Sequence, residues 1–266
     1  MLQLQLKNKK ITTERPAFVM GILNVTPDSF FDKSRGGIER AFQLIEEGAD
    51  VLDIGGESTR PGYTPVSAED EIKRIIPVIK EIRKQSDIPL SVDTMKYEVM
   101  KAALEEGADI FNDVTALEND ERKIQLVLEN NINVILMHQF YGNESTRVTD
   151  SEVNSVVTKY LLQKADFLVG KGLNPELILL DPGIGFGKTP EENIMLIKDF
   201  CSQQTKYKVL MALSRKRCIG TMVENGDKLT GTIVSDIFAV KNGASMIRVH
   251  DVKEAVASLN VMKYLQ

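Results

Sequence analysis

The sequence predicts a single α/β domain, a (β/α)8 TIM barrel behind a short N-terminal β-hairpin. Three observations carry this. Short apolar runs alternate with longer amphipathic ones eight times along the chain. The helical stretches end on glycine just before the next run: Glu-Glu-Gly-Ala-Asp occurs at Glu46–Asp50 and Glu105–Asp109, echoed by Asn242–Ala244. No linker interrupts the 266 residues, and the βα unit repeats at roughly thirty residues. A doubly wound open sheet is the alternative fold.

Residues 1–16 are read as the hairpin extension and 17–266 as the barrel. Leu2, Leu4 and Leu6 alternate with glutamines, Lys7–Lys10 make the turn, and Ile11–Thr13 resume β-favouring residues. The barrel strands are predicted at Ala17–Leu23, Val51–Ile54, Pro89–Val92, Ile110–Phe111, Val134–Met137, Ile178–Leu180, Val209–Leu213 and Met246–Val249. Helices follow at Ile38–Glu47, Ala68–Lys84, Lys96–Glu106, Asn119–Asn130, Asp150–Gly170, Pro190–Phe200, Thr230–Asn242 and Val252–Tyr264. In the second, Ile72, Ile75, Ile76 and Ile79 have the spacing of a face turned to a core.

A barrel demands that functional groups gather just after the strands. The eight ends supply Asn24, Asp53 with Glu57–Arg60, Asp93, Asn112–Asp113, His138, Asp181, Ser214–Lys216, and Arg248 with His250. Any one could cap a helix or satisfy a turn. A polar group at every end is read as a site. Asp93, Asn112 and Asp181 suit a flat, donor-rich heterocycle. Arg60, Arg215, Lys216, Arg248 and His250 supply positive charge, partly after the last two strands, where barrels often bind phosphate. Asn24 offers the neutral oxygen that Mg2+ accepts beside waters and phosphate oxygens.

The stretch Ile178–Thr189, ILLDPGIGFGKT, ends a buried strand at Asp181 and enters a turn with three alternate glycines. It is not a Walker loop, because Pro182 stands where that motif needs glycine. It is not a dinucleotide fingerprint, because Lys188 stands where the third glycine belongs.

Composition narrows the class further. The chain is 42% hydrophobic, with a net charge of -5, so no basic face for nucleic acid is expected. No apolar run approaches a membrane span, and MLQLQLKNKK lacks a signal-peptide core. Cys201 and Cys218 are read as reduced thiols of a cytoplasmic protein.

With these residues in view, the chain resembles the dihydropteroate synthases. The resemblance is carried by Met20–Phe30 (MGILNVTPDSF), Asp53–Gly62 (DIGGESTRPG), Asp181–Thr189, Ser214–Lys216 (SRK) and Arg248–Val252 (RVHDV), with Ser91–Thr94 and Ile110–Val114 between them. It implies a pterin-binding barrel, usually a homodimer, that joins 4-aminobenzoate to 6-hydroxymethyl-7,8-dihydropterin diphosphate in folate biosynthesis. It further implies that Asp93, Asn112, Asp181 and Lys216 contact the pterin and that Asn24 binds Mg2+. Arg248 and His250, with Thr59 and Arg60, would meet the diphosphate, and Phe186 and Arg60 would border the aminobenzoate. Asp93, Asp181, Lys216 and Arg60 are the residues it makes catalytic. Val25–Gly36 and Gly56–Thr64 would be two mobile loops.

The chain departs from the family pattern at Gln139–Asn143, at Phe31–Gly36 (where Asp32 still matches), at Arg217-Cys218 and at Lys228-Leu229. The rival readings are a methyltetrahydrofolate:corrinoid methyltransferase domain and a non-catalytic pterin-binding subunit.

Overall fold

A computed structural model describes residues 1–25, 35–57, 65–140, 152–203, 206–223 and 226–265. Strands β1 (Leu2–Gln5) and β2 (Lys10–Thr13) pair antiparallel as the hairpin. Eight parallel strands then close a barrel: β3 (Phe18–Asn24), β4 (Val51–Gly55), β5 (Leu90–Asp93), β6 (Ile110–Asp113), β7 (Asn133–Met137), β8 (Ile178–Asp181), β9 (Lys208–Met211) and β10 (Met246–Val249). Strand β10 pairs with both β9 and β3, which closes the ring and excludes the open sheet.

The intervening helices are α1 (Arg35–Glu46), α2 (Ala68–Arg83), α3 (Tyr97–Glu105), α4 (Glu121–Asn130), α5 (Val153–Gly170) and α6 (Pro190–Asp199). After β9 come α7 (Arg217–Thr221) and α8 (Lys228–Lys241), and α9 (Val252–Leu265) follows β10. The short α7 is not foreseen by periodicity, since five residues are too few to show one.

Side chains alternate across each strand and build two cores. The outer one joins strand residues such as Val19, Leu52, Val92 and Leu180 to helix residues such as Ile75, Ile79 and Leu161. The inner one fills the barrel with Phe18, Met20, Val51, Ile110, Ile135, Leu179, Leu210 and Met246. Leu4 and Leu6 of the hairpin belong to that inner core and are 0% and 1% exposed. The hairpin therefore plugs the bottom of the barrel. Asn133 Nδ2 ties it to β7 by donating to Gln5 O (2.7 Å).

The repeated Glu-Glu-Gly-Ala-Asp ends α1 and α3 as expected, with Gly48 and Gly107 at φ 99° and 92°. Its aspartates do a second job. Asp50 accepts from the Val19 N–H (2.8 Å) and Asp109 from the Leu90 N–H (2.9 Å), and each pairs with an arginine, Arg15 and Arg83. Each repeat thus pins the start of the preceding strand.

Candidate active site

The even strands carry the same three-residue pattern: Val51-Leu52-Asp53, Ile110-Phe111-Asn112, Leu179-Leu180-Asp181 and Met246-Ile247-Arg248. The first residue of each lies in the inner core. Two residues on, the chain points to the same face. The apolar layer Val51, Ile110, Leu179 and Met246 is therefore overlaid by a polar layer of Asp53, Asn112, Asp181 and Arg248. Layers of four side chains from alternate strands are how such barrels fill their interiors. Here the uppermost such layer is ionic.

Charge pairing makes that layer tolerable. Arg248 Nε donates to Asp53 Oδ2 (2.5 Å), and Nη2 donates to Asp93 Oδ2 (2.6 Å). Asn112 Nδ2 donates to the same Asp53 oxygen (3.1 Å). Asp93 enters from β5, in register with Asn112. Burial works against the Arg248 cation, yet the two aspartates overcome it and hold it above the usual guanidinium range. Asp93 is 7% exposed, and desolvation pushes its carboxyl up to about 7 although Arg248 opposes the shift. Asp53 Oδ1 and Asp93 Oδ1 are buried with no protein hydrogen bond among the described residues. Buried oxygens of this kind, above an apolar floor, suit a ligand that brings its own N–H groups.

The glycine-rich turn after β8 forms the opposite wall. Asp181 Oδ1 accepts from the Gly183 N–H (2.7 Å), and burial raises its carboxyl while Lys216 lowers it. Gly183 has φ 67°, and a Cβ there would lie 1.9 Å from the His138 carbonyl oxygen, so no other residue fits. Lys216 Nζ donates to Ile184 O and lies 4.9 Å from the centre of the Phe186 ring. Desolvation brings this lysine down to about 8, with Asp181 opposing.

Lys188 is the residue that sequence reasoning does not place in the site. Its ammonium donates to three carbonyls, of His138 (3.1 Å), Gly183 (2.9 Å) and Phe186 (3.4 Å), and burial lowers it to about 7. It laces the turn to the end of β7. The available signal is a lysine inside a glycine and apolar run with no acid beside it. His138 itself is buried against Phe140 and Tyr160 in edge-on contacts, and desolvation drops it to about 3, so it stays neutral.

The other predicted residues divide. His250 Nδ1 shares a 2.9 Å hydrogen bond with Ser214 Oγ, which also accepts from the His250 N–H (3.2 Å). Asn24 is exposed at the mouth, in register with Gly55. Arg215 turns away from the pocket and forks onto Asp251 (2.9 and 2.5 Å). Asp113 is structural: Lys123, Thr115 and Leu117 all bond its carboxylate. Thr59 and Arg60 lie outside the described residues, as do residues 26–34, with Asp32, and 141–143. On either side of positions 58–64, Glu57 Oε1 accepts from the Val66 N–H (3.0 Å), and Lys96 bridges Glu57 and Glu71.

Residues 20–250 match the family described as pterin binding enzyme. The chain belongs to the pterin-binding enzyme family. A dihydropteroate synthase of Streptococcus pyogenes serotype M6 is 40% identical over 260 residues, covering 93% of this chain and 95% of that relative. Dihydropteroate synthase of Xanthomonas albilineans, solved with 4-aminobenzoic acid, superposes with a TM-score of 0.89 at 38% identity, covering 99% of this chain and 98% of the other. The Burkholderia cenocepacia enzyme, complexed with 7,8-dihydropteroate, gives 0.87 at 35% identity over 99% and 96%. The ionic upper layer and the glycine-rich turn both stand at the C-terminal ends of the barrel strands.

Proposed function

We propose that this pterin-binding enzyme is a dihydropteroate synthase. It condenses 6-hydroxymethyl-7,8-dihydropterin diphosphate with 4-aminobenzoate to give 7,8-dihydropteroate and diphosphate. One observation carries the reading. A ring of buried acceptors, Asp93, Asn112 and Asp181, faces Lys216 and Phe186 at the mouth of the barrel, with Arg248 and His250 beside it. The ligands in the Xanthomonas and Burkholderia structures agree with the second substrate and the product.

The chemistry follows from these groups. Asp93, Asn112 and Asp181 accept the N–H edge of the pterin, and Lys216 donates to its acceptor side. The methylene C–O bond breaks and the electron pair leaves with diphosphate. Arg248 and His250, with Thr59 and Arg60 assigned by resemblance alone, neutralise that charge. The pterin methylene is left cationic, delocalised into the ring, and the Asp93 and Asp181 carboxylates stabilise it. The 4-aminobenzoate nitrogen, bordered by Phe186, then forms the C–N bond and gives its proton up to water. No enzyme nucleophile takes part.

Among the described residues no three His, Cys, Asp or Glu side chains gather as a metal cluster. The exposed Asn24 amide instead fits an ion that takes one protein oxygen and keeps its other ligands from water and diphosphate, as Mg2+ does. Bound there, Mg2+ would supply further charge neutralisation to the leaving group. Exposed Val234 and Phe238 on α8, with Val261, Tyr264 and Leu265 on the neighbouring α9, support a homodimer. A cytoplasmic location accords with the absence, among the described residues, of any helix long and apolar enough to cross a membrane.

The test is formation of 7,8-dihydropteroate from the two substrates, with Mg2+ and with a chelator. Magnesium-dependent product is expected. Tight pterin diphosphate binding without product would overturn the synthase reading.

A further inference from the structure

We infer that Asp53 is a positioning residue of the reaction, the buried anchor that sets Asn112 and Arg248 at the angles the pterin diphosphate requires. The inference rests on the synthase reading above, which gives Asn112 and Arg248 their substrate. Asp53 is itself 0% exposed, and its Oδ2 is taken up by Arg248 and Asn112.

Three observations converge. Asp53 fills the fourth seat of the ionic layer, whose other seats are Asn112, Asp181 and Arg248. It stands midway between two of them: β4 is two strands from β10 on one side and two from β6 on the other. Its Oδ2 alone receives both partners, Arg248 Nε at 2.5 Å and Asn112 Nδ2 at 3.1 Å. One oxygen thus fixes both the guanidinium plane and the flip of the amide. With its Nδ2 spent on Asp53, Asn112 turns its Oδ1 to the ligand as an acceptor. With Nε held by Asp53, Arg248 can reach Asp93 through Nη2 without swinging over the pocket. An uncharged or shorter side chain at position 53 would free both.

The expected consequence separates positioning from plain stability. The charged groups that act on Asp93 are Arg248, Asp53, Glu71, Asp113 and, from the far side of the mouth, Lys216, and Asp53 raises its carboxyl. Removing the Asp53 charge lets Asp93 ionise more easily. The acidic limb of kcat/KM for pterin diphosphate should then move to lower pH, which a merely structural residue would not cause.

The experiment compares wild type, Asp53→Asn and Asp53→Ala, with thermal melting as the check on folding. Binding of pterin diphosphate is measured by calorimetry without 4-aminobenzoate, and turnover is measured as a function of pH. Asp53→Ala is expected to weaken pterin diphosphate binding by about tenfold to a hundredfold. The KM for 4-aminobenzoate should stay within about twofold, because Phe186, which is assigned to that substrate, stands on the turn after β8 and not on β4, β6 or β10, which carry Asp53, Asn112 and Arg248. Asp53→Asn, which keeps the shape and one acceptor oxygen, should recover part of the binding but still show the shifted limb. Should Asp53→Ala fail to fold, the isosteric Asp53→Asn carries the test through its pH limb and its calorimetry. Unchanged pterin affinity together with an unmoved limb in a folded Asp53→Asn would overturn the inference. A wild type that binds pterin diphosphate but forms no dihydropteroate would instead overturn the synthase reading. In that case, unchanged pterin affinity in Asp53→Asn would still reject the role given to Asp53.

Discussion

The two walls of the pocket hold their cations by different means. On the side of β4, β5 and β10, Arg248 is held by carboxylates, Asp53 and Asp93. On the side of β7, β8 and β9, Lys188 and Lys216 are held chiefly by backbone carbonyls, of His138, Gly183, Phe186 and Ile184. Carboxylates keep a guanidinium charged at any working pH. Carbonyl dipoles offset burial less completely, and these lysines fall to about 7 and 8. One wall thus keeps its cation fixed, with only the Asp93 carboxyl beside it brought up to about 7, whereas on the other wall the cations themselves fall into the physiological range.

The largest effects should come from breaking the titrating wall. Lys216→Ala and Asp181→Asn should each lower kcat/KM by about a hundredfold to a thousandfold, the scale of losing one preorganised electrostatic partner. Lys216→Arg should keep more activity and move the alkaline limb of the pH profile, which the Lys216 ammonium, brought down to about 8, is expected to set in wild type. An alkaline limb that stays in place in Lys216→Arg would assign that titration elsewhere.

On the fixed wall, Asp93→Asn should cost activity on a similar but smaller scale, about a hundredfold, while raising stability. The sign follows from where the proton is held. Asp93 ionises at 3.8 when free and at about 7 in the pocket, so the folded protein holds this proton more tightly than the unfolded chain. The stability it brings is complete below 3.8 and is lost as pH rises through 7. At pH 8 the carboxylate is therefore a burden on the empty enzyme. Asp93→Asn should melt about 2–4 °C higher than wild type at pH 8, with the gain shrinking toward pH 5. A melting temperature that falls at both pH values would show that the Arg248 pair outweighs the burial of Asp93.

The fixed wall was legible in the sequence and the titrating wall only in part, for a physical reason. Side-chain partners at strand ends follow from strand position: once the barrel is known, Asp93, Asn112 and Arg248 must converge at its mouth. Asp53 was visible at its strand end, but its role depends on Oδ2 reaching two strands both ways, which no local pattern reveals. Carbonyl partners depend on the conformation of a turn. The glycines of Gly183–Gly187 announce a tight turn, but not that His138 O faces it or that Lys188 closes over it. Local alternation marks the hairpin only as an extension, and the burial of Leu4 and Leu6 inside the barrel follows only once the ring is closed. Arg215 shows the limit of reading charge alone, since its backbone at φ 56° sends it outward.

Lys188 offers an intermediate test of the same contrast. In Lys188→Met the apolar stem is kept and the three carbonyls lose their donor. The turn should loosen around Phe186, so the KM for 4-aminobenzoate should rise about tenfold with a smaller change in kcat. The melting temperature should fall by about 2–4 °C, as one lost hydrogen-bonding group does in a chain of this size. If neither changes, the glycine turn holds its own shape and Lys188 adds nothing to that wall.

The smallest effect is expected at Arg215, and it asks whether the carboxylate-held pattern extends as far as β9. Its guanidinium is 53% exposed and forked onto Asp251, and its N–H donates to Thr232 Oγ1 (3.0 Å). A pair this exposed contributes only about 0–1 kcal/mol. The backbone bond to Thr232 survives truncation of the side chain. Arg215→Ala should therefore leave kcat/KM for pterin diphosphate within about twofold, and any drop in melting temperature should shrink with added salt. A tenfold rise in the KM for pterin diphosphate would mean that Arg215 leaves Asp251 when the anion binds. Asp251→Asn, which frees the guanidinium without removing it, should then lower that KM. Opposite shifts in the two variants would make Asp251 a competitor of the substrate, and absence of any shift would leave Arg215 outside the pocket.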